Sequence, residues 1–166
     1  MIQRFKDQLV LLLYMAHAHS FVITRGNLKT ENEGLRYVLR ENKNCILLNK
    51  QDRQEIIETF KIDKKYARAF DAILLKKRSM AKKIKINPTT AMLIEFKTTK
   101  KKLIENPRGF FFGATKNEFE LAKKLGNKFR FCFVCLHPKS RSYKFLTYSE
   151  LKKLIKAQRI QYQINL

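Results

Sequence analysis

The chain has 166 residues and 45% hydrophobic residues, which is enough to build the core of one domain and excludes a disordered chain. Lysine and arginine number 36 against 14 acidic residues, a net charge of +22 that favours a polyanionic partner, with nucleic acid ahead of an anionic membrane surface. No stretch approaches the roughly 20 apolar residues of a membrane span, so no membrane partner is expected.

The first segment is predicted to be a buried helix. Apolar residues recur at three- and four-residue intervals from Ile2 to Ala16. The apolar run resembles a signal peptide, but it is short and Asp7 precedes it, so we interpret the protein as cytoplasmic. We therefore assign residues 1–29 as a helical extension of a single domain covering 1–166, and the second apolar side of this helix is a candidate homodimer contact.

The next helix is predicted over residues 31–41. Thr30 lies three residues before Glu33, which is the spacing of a capping box, and Leu35 and Val38 face inward. Glu33 therefore has two interpretations: it is a cap partner, or it is a first-turn carboxylate that points at an active site.

The middle of the chain contains a carboxylate inside an apolar run. After a short strand at 45–48 and a helix at 52–60, residues 67–75 are predicted to form a strand that contains Asp71. Such a carboxylate is costly unless it is paired, hydrogen-bonded or bound to a metal. Six of the ten residues in 76–85 are lysine or arginine, which indicates a basic loop before the next strand.

That next strand, Ala91–Thr99, carries a carboxylate and an ammonium on one face. Glu95 and Lys97 are two residues apart and project together, while Ile94 and Phe96 point to the core. A carboxylate that binds a hard divalent cation beside a lysine suits metal-assisted phosphodiester cleavage, and the simpler alternative is an ion pair on an ordinary strand. Adjacent strands lie about 4.8 Å apart, so Asp71 can lie beside Glu95 and the two can share one Mg²⁺ or Mn²⁺.

The remaining helices are predicted from their capping residues. Thr115 or Asn117 can cap a helix that runs to about Leu125, and Gly126 ends it in the usual C-terminal manner. Ser149 is the predicted cap of the last helix.

Two further strands are predicted at 129–136 and 143–146. Cys132 and Cys135 have the C-x-x-C spacing, but an odd offset within a strand places them on opposite faces, so we expect buried free thiols rather than a zinc site. The order of elements predicts an α/β or α+β protein with a central mixed sheet flanked by helices.

Several stretches together resemble a known family. Asp71 followed by Glu95-Phe-Lys97 resembles the PD-(D/E)xK nuclease motif, with Phe70 in place of the proline. The runs 94–99 (IEFKTT), 109–120 (GFFFGATKNEFE) and 126–134 (GNKFRFCFV) are similar to the NO VEIN C-terminal-like branch of the restriction-endonuclease-like superfamily. The resemblance covers about residues 66–136, less clearly 30–41 and 143–156, and leaves 1–29 without a counterpart.

The resemblance implies a restriction-endonuclease-like fold and specific roles. Asp71 and Glu95 would be the metal ligands, with Asp63 as the alternative first carboxylate. Lys97 would be the charge or general-base residue, and Glu33 would match the helix carboxylate of such nucleases. Asn117 and Glu118 match an Asn-Glu pair of the family, but we favour the simpler interpretation of a helix cap and a first-turn residue over a direct substrate role. The expected phosphate-contacting residues are Lys76, Lys77, Arg78, Lys82, Lys83, Thr98, Thr99, Lys100, Lys101, Lys102 and Asn117.

Three functions are consistent with these residues. The first is a Mg²⁺-dependent endonuclease, a small type II-like restriction enzyme acting on duplex DNA as a homodimer, with a methyltransferase in the same system. The second is a non-catalytic nucleic-acid-binding module with a nuclease-like fold. The third is a structure-selective junction resolvase.

Overall fold

The computed structural model describes residues 25–77 and 86–158. The predicted helix from Ile2 to Ala16 and the predicted DNA-contacting residues Arg78, Lys82 and Lys83 lie outside the described residues, and residues 25–29 of the predicted extension belong to the first described helix. In chain order the main elements are α1 (Arg25–Glu41), β1 (Cys45–Leu47), α2 (Lys50–Phe60), β2 (Ala72–Leu75), β3 (Ala91–Thr99), α3 (Lys116–Leu125), β4 (Phe129–Cys135), β5 (Ser142–Leu146) and α4 (Tyr148–Leu154).

The five strands form one mixed sheet in the order β1-β2-β3-β4-β5. The pairs β1–β2, β2–β3 and β4–β5 are antiparallel, whereas β3 and β4 are parallel. A parallel pair needs a crossover connection, and the chain from 100 to 128 supplies it with α3. The predicted mixed sheet flanked by helices is therefore confirmed.

Helices cover both faces of the sheet. One face packs against α1 through Leu35 and Val38, and it includes Ile94 and Phe96 of β3. The other face packs against α2, α3 and α4 and carries most of the large buried aromatics; among its buried members are Ile56, Phe60, Ile73, Leu93, Leu121, Phe129, Phe131, Phe133 and Leu151. Alternate residues of β3 and β4 thus enter different halves of the core, as strand geometry requires.

Some element boundaries differ from the predictions. Helix α1 begins at Arg25, so Thr30 lies inside the helix and is not its cap. The predicted strand 67–75 is shorter, because a 3₁₀ turn at Lys64–Tyr66 and a non-strand segment precede Ala72. Helix α4 begins two residues earlier than predicted, since Thr147 rather than Ser149 is its N-cap and forms a capping box with Glu150.

Other local predictions are confirmed. Thr115 caps α3 by accepting a hydrogen bond from the Glu118 amide, and Gly126 ends the helix with φ of 52°. The three cysteines are buried free thiols. Cys132 packs on the α1 side of the sheet, whereas the Cys135 sulfur contacts the Lys101 carbonyl and the Ser140 hydroxyl, so the two thiols lie on opposite faces.

Within residues 25–77 and 86–158, no helix is long and apolar enough to cross a membrane.

Candidate active site

Asp71 and Glu95 lie side by side where β2 meets β3. Ala72 pairs with Ile94, and the Asp71 amide donates to the Ile94 carbonyl at 2.7 Å, which places the two acidic residues opposite each other. The Asp71 Oδ2 atom accepts a hydrogen bond of 3.0 Å from the Phe96 amide. The alternative first carboxylate, Asp63, is exposed and caps the 3₁₀ turn by accepting from the Lys65 amide. The structure therefore brings Asp71, and not Asp63, to Glu95.

Arg53 of α2 holds the segment that leads into Asp71. Its guanidinium donates to the carbonyl oxygens of Ala67 (3.0 Å), Phe70 and Asp71 (3.4 Å), and it also stacks on the Phe70 ring. These carbonyls belong to the segment that precedes β2. A charged donor with several fixed N–H groups satisfies them together and fixes the position of Asp71.

Lys97 bridges two buried carboxylates. Its Nζ atom donates to Glu95 Oε1 at 2.8 Å and to Glu118 Oε2 at 2.7 Å. Glu95 and Glu118 are only 7% and 6% exposed, so this is a buried ion-pair cluster rather than a surface pair. Glu118 lies in the first turn of α3, yet its side chain binds Lys97 instead of serving only the helix end.

The charges of this cluster do not balance. Asp71, Glu95 and Glu118 contribute three carboxyl groups around the Lys97 ammonium, and the Arg53 guanidinium is a second cation within electrostatic range of Asp71 and Glu95. Burial, followed by the charge of Asp71, raises the pKa of Glu95 well above its usual value. Burial disfavours the ammonium of Lys97, but Glu95 and Glu118 outweigh it and raise the pKa of Lys97 above its usual value. Lys97 is therefore a fixed positive charge in this arrangement, and it is not a free base.

Of the two α1 carboxylates Glu31 and Glu33, Glu31 is the one whose pKa responds to the charges of the cluster. Burial raises the pKa of Glu31, and so do the charges of Asp71 and Glu118, while the charge of Lys97 lowers it; the net change is an increase. The carboxyl of Glu31 therefore lies within electrostatic range of the site, although the residue is exposed to solvent. Glu33 instead forms an ion pair of 2.6 Å with Lys100, and this hydrogen bond lowers its pKa. The structure does not bring Glu33 to Asp71 and Glu95.

A missing side chain lets α1 approach β3 closely. A Cβ atom on Gly34 would lie 2.3 Å from Thr98 Oγ1 and 2.6 Å from Thr98 Cγ2. Gly34 follows Glu31 by three residues and precedes Val38 by four, so all three lie on the helix face toward the sheet. The close approach at Gly34 therefore packs this face of α1 directly against β3.

The cluster offers hard oxygen ligands for a divalent cation. Glu95 Oε2 is buried and has no hydrogen-bond partner, and it belongs to the residue opposite Asp71. In the described part of the chain, no three His, Cys, Asp or Glu side chains already form a metal-binding group. Mg²⁺ keeps several waters and takes one or two protein carboxylates, so Asp71 and Glu95 fit it as a pair.

The remaining predicted nucleic-acid residues occupy several environments. Lys76, Lys77, Lys101 and Lys102 are exposed and available to a phosphate backbone. Lys100 is paired with Glu33. Thr98 and Thr99 continue β3, and the Asn117 side chain donates to the Lys65 carbonyl at 3.1 Å.

No protein-family model, curated protein or solved structure matches the chain. The function is therefore argued from the geometry of Asp71, Glu95, Lys97 and Glu118.

Proposed function

We propose that this protein is a metal-dependent endonuclease that hydrolyses DNA phosphodiester bonds, with its site at the junction of β2 and β3. The observation that carries the proposal is the placement of Asp71 directly opposite Glu95, with Lys97 two residues further along the same face. The strand order, with α1 before three antiparallel strands and a parallel β4 after a helix, supports the resemblance to the PD-(D/E)xK nucleases. The net charge of +22 supports a nucleic-acid substrate.

Each residue has a defined part in this proposal. Asp71 and Glu95 would hold Mg²⁺ or Mn²⁺, which when bound supplies Lewis-acid chemistry to a phosphoryl oxygen and to an attacking water. Lys97 places a positive charge beside the phosphate, where negative charge develops in the transition state. Glu118 keeps Lys97 in place when Glu95 engages other partners, and Arg53 positions Asp71 through the backbone carbonyls.

The biological context that we favour is a small type II-like restriction enzyme in the cytoplasm. Symmetric cutting of duplex DNA requires two active sites, which a homodimer provides. A methyltransferase that protects the host sites would be the partner in the same system.

One observation favours a second function, a non-catalytic nucleic-acid-binding module. Lys97 already donates to both Glu95 and Glu118, an arrangement that a binding module could keep without any metal. This alternative retains the fold and the basic surface but leaves the cluster as a purely structural ion-pair network.

The test is cleavage of supercoiled plasmid and phage DNA with Mg²⁺, with Mn²⁺ or with EDTA. We expect metal-dependent products from the wild-type protein and a loss of more than about 100-fold in rate for Asp71→Asn and Glu95→Ala, since even outer-shell residues of metal sites contribute about 10- to 100-fold. Glu33→Gln is the matched control, because this carboxylate is partly exposed and pairs with Lys100 away from the site, and the variant should cut at nearly the wild-type rate.

Binding without cutting under either metal would replace this proposal with the binding module. Strong preference for a four-way junction over linear duplex would instead assign the same site to a junction resolvase.

A further inference from the structure

The connection between β3 and α3, residues 100–115, is anchored firmly to the sheet. The Leu103 side chain is buried, and the Leu103 amide donates to the Ser140 hydroxyl at 3.2 Å. The Asn106 side-chain amide donates to the Phe133 carbonyl at 3.0 Å. Phe110 and Phe112 each pack edge-on against the Phe133 ring, with centroids 5.0 Å apart. We refer to residues 100–115 as the β3–α3 loop.

Between these anchors the β3–α3 loop turns two large apolar side chains into solvent. Phe111 is 93% exposed although both of its neighbours pack on Phe133, and Ile104 is fully exposed although Leu103 beside it is buried. Leu103 also approaches Gly109, with 3.9 Å between its Cδ2 and a Cβ built on the glycine, so the loop folds back on itself between the two exposed residues. Single exposed apolar residues are common on proteins, but two held outward by buried neighbours within one short loop form a candidate contact surface.

The charges around these residues identify that partner. Residues 100–116 contain five lysines or arginines and one acidic residue, Glu105. Lys100, Arg108 and Lys116 form ion pairs with Glu33, Glu105 and Glu120, so Lys101 and Lys102 carry the exposed positive charge of this segment that is free to meet a partner. An apolar partner protein would not require this excess, and a phosphate backbone would. The loop begins three residues after Lys97, so it leaves the proposed catalytic strand directly.

We propose that Ile104 and Phe111 are base-contacting residues that insert at a base step of duplex DNA, while the lysines of the β3–α3 loop hold the flanking phosphates. Isoleucine and phenylalanine are among the side chains that partly unstack a base step when they enter a groove. The inference rests on the proposed DNA substrate and adds how the duplex is gripped and distorted beside the cleaved bond. The apolar side chains would contact the bases, and the charged side chains would contact the phosphate backbone of the DNA.

The experiment measures binding of the full chain, in EDTA, to a pool of random-sequence duplexes labelled with fluorescein. Ile104→Ser and Phe111→Ser, alone and together, are compared with Leu154→Ser, which removes another exposed apolar side chain, on α4. We expect the double variant to bind roughly tenfold more weakly or worse, as for the loss of base stacking, and Leu154→Ser to bind as the wild type.

Salt dependence separates the two kinds of contact. Apolar contacts release no counterions, so the slope of log Kd against log salt should stay unchanged in Ile104→Ser and Phe111→Ser. The slope should become shallower in Lys101→Ala/Lys102→Ala, which removes two phosphate-contacting charges. Duplexes that carry 2-aminopurine should brighten on binding the wild-type protein and not on binding the double apolar variant, because unstacking raises the fluorescence of that base.

The outcomes distinguish this inference from the proposed function. If the wild type binds and cuts DNA and the apolar variants bind equally well without any change in 2-aminopurine emission, the inference fails and the nuclease stands. If sedimentation shows that the variants lose self-association while DNA binding is unchanged, the exposed pair is a contact between copies and the inference also fails. If the wild type neither binds nor cuts DNA, both proposals fail together.

Discussion

Glu95 is buried and hydrogen-bonded on one oxygen only, a combination that costs stability in a protein without ligand. Its Oε1 atom accepts from Lys97, whereas Oε2 has no partner. Burial raises its pKa above the usual 4.5, so folding favours the protonated form. The stability that Glu95 contributes is therefore fully present below pH of about 4.5 and is lost as the pH rises through the higher pKa of the folded state.

The loss of stability with rising pH that follows from the raised pKa of Glu95 leads to a prediction for Glu95→Gln. In EDTA at pH 8, the variant should have a higher melting temperature than the wild type, and the advantage should vanish near pH 4.5, where the wild-type carboxyl is protonated. For a domain of this size, each kcal/mol corresponds to about 2–4 °C. In thermal denaturation, added Mg²⁺ should raise the melting temperature of the wild type and leave that of Glu95→Gln unchanged.

Glu33→Gln is the control, since its exposed pairing with Lys100 offers no such gain. A Glu95→Gln variant that melts below the wild type at pH 8 would show that the cluster stabilises the fold, as the binding-module alternative requires.

The residues of the site differ in how well the sequence predicts them. Asp71, Glu95 and Lys97 were predictable because strand residues alternate between faces and consecutive strands pair. Glu31 was missed because the capping-box spacing at Thr30 placed the helix start several residues too late. Its signal is the spacing of Glu31 to Gly34, Leu35 and Val38, which places it at the exposed end of the helix face that these buried residues form.

Among the elements, the contact of α1 with β3 is the most closely fitted. Helix interiors favour alanine over glycine by about 1 kcal/mol, so Gly34→Ala on an open helix would stabilise the protein. Here the new Cβ would meet Thr98 Oγ1 at 2.3 Å. Overpacking of this kind costs about 1–3 kcal/mol, so the steric effect exceeds the propensity gain.

We therefore expect Gly34→Ala to lower the free energy of unfolding by about 1–2 kcal/mol, measured by urea denaturation. Thr98→Ala should restore most of it in the double variant, because it removes both close atoms and also a buried hydroxyl that has no partner. The double-mutant cycle tests the contact directly. Additive effects of the two substitutions would mean that α1 does not contact β3 at this point.

Boundaries of elements were predicted less well than their existence. The apolar run before Ala72 predicts a strand from 67, but Arg53 of α2 captures its carbonyls and keeps the segment out of the sheet. That interaction joins residues far apart in sequence, so no local pattern reports it. At α4, Thr147 and Ser149 are both good caps, and Thr147 is used because Glu150 completes its capping box.

For the molecule as a whole, the net charge of +22 should make stability depend on salt. Like charges repel over the Debye length, which falls from about 30 Å at 0.01 M to about 8 Å at 0.15 M ionic strength. We expect the melting temperature in EDTA to rise over this range, and duplex DNA at low salt to raise it further because it binds the folded surface. A melting temperature that is independent of salt would mean that the excess charge is spread too widely to repel.

The architecture of the whole sheet was predicted only in outline. Alternating patterns predict strands and helices, but they do not say which strands become neighbours. The parallel pairing of β3 with β4 depends on Leu121 and Ala122 of α3 packing onto the same buried face as Phe131 and Phe133. Such packing between distant segments is a property of the assembled core.

The register of β3 has a consequence for how this protein can be damaged. Ile94 and Phe96 belong to one half of the core, while Glu95 and Lys97 carry the proposed chemistry from the opposite face. A single-residue insertion or deletion early in β3 would exchange these roles, sending the charges into the apolar layer under α1. A β3 strand whose register is shifted by one residue would produce a misfolded chain rather than a folded, inactive one. We expect such a chain to be degraded by proteases instead of accumulating as a folded, inactive protein.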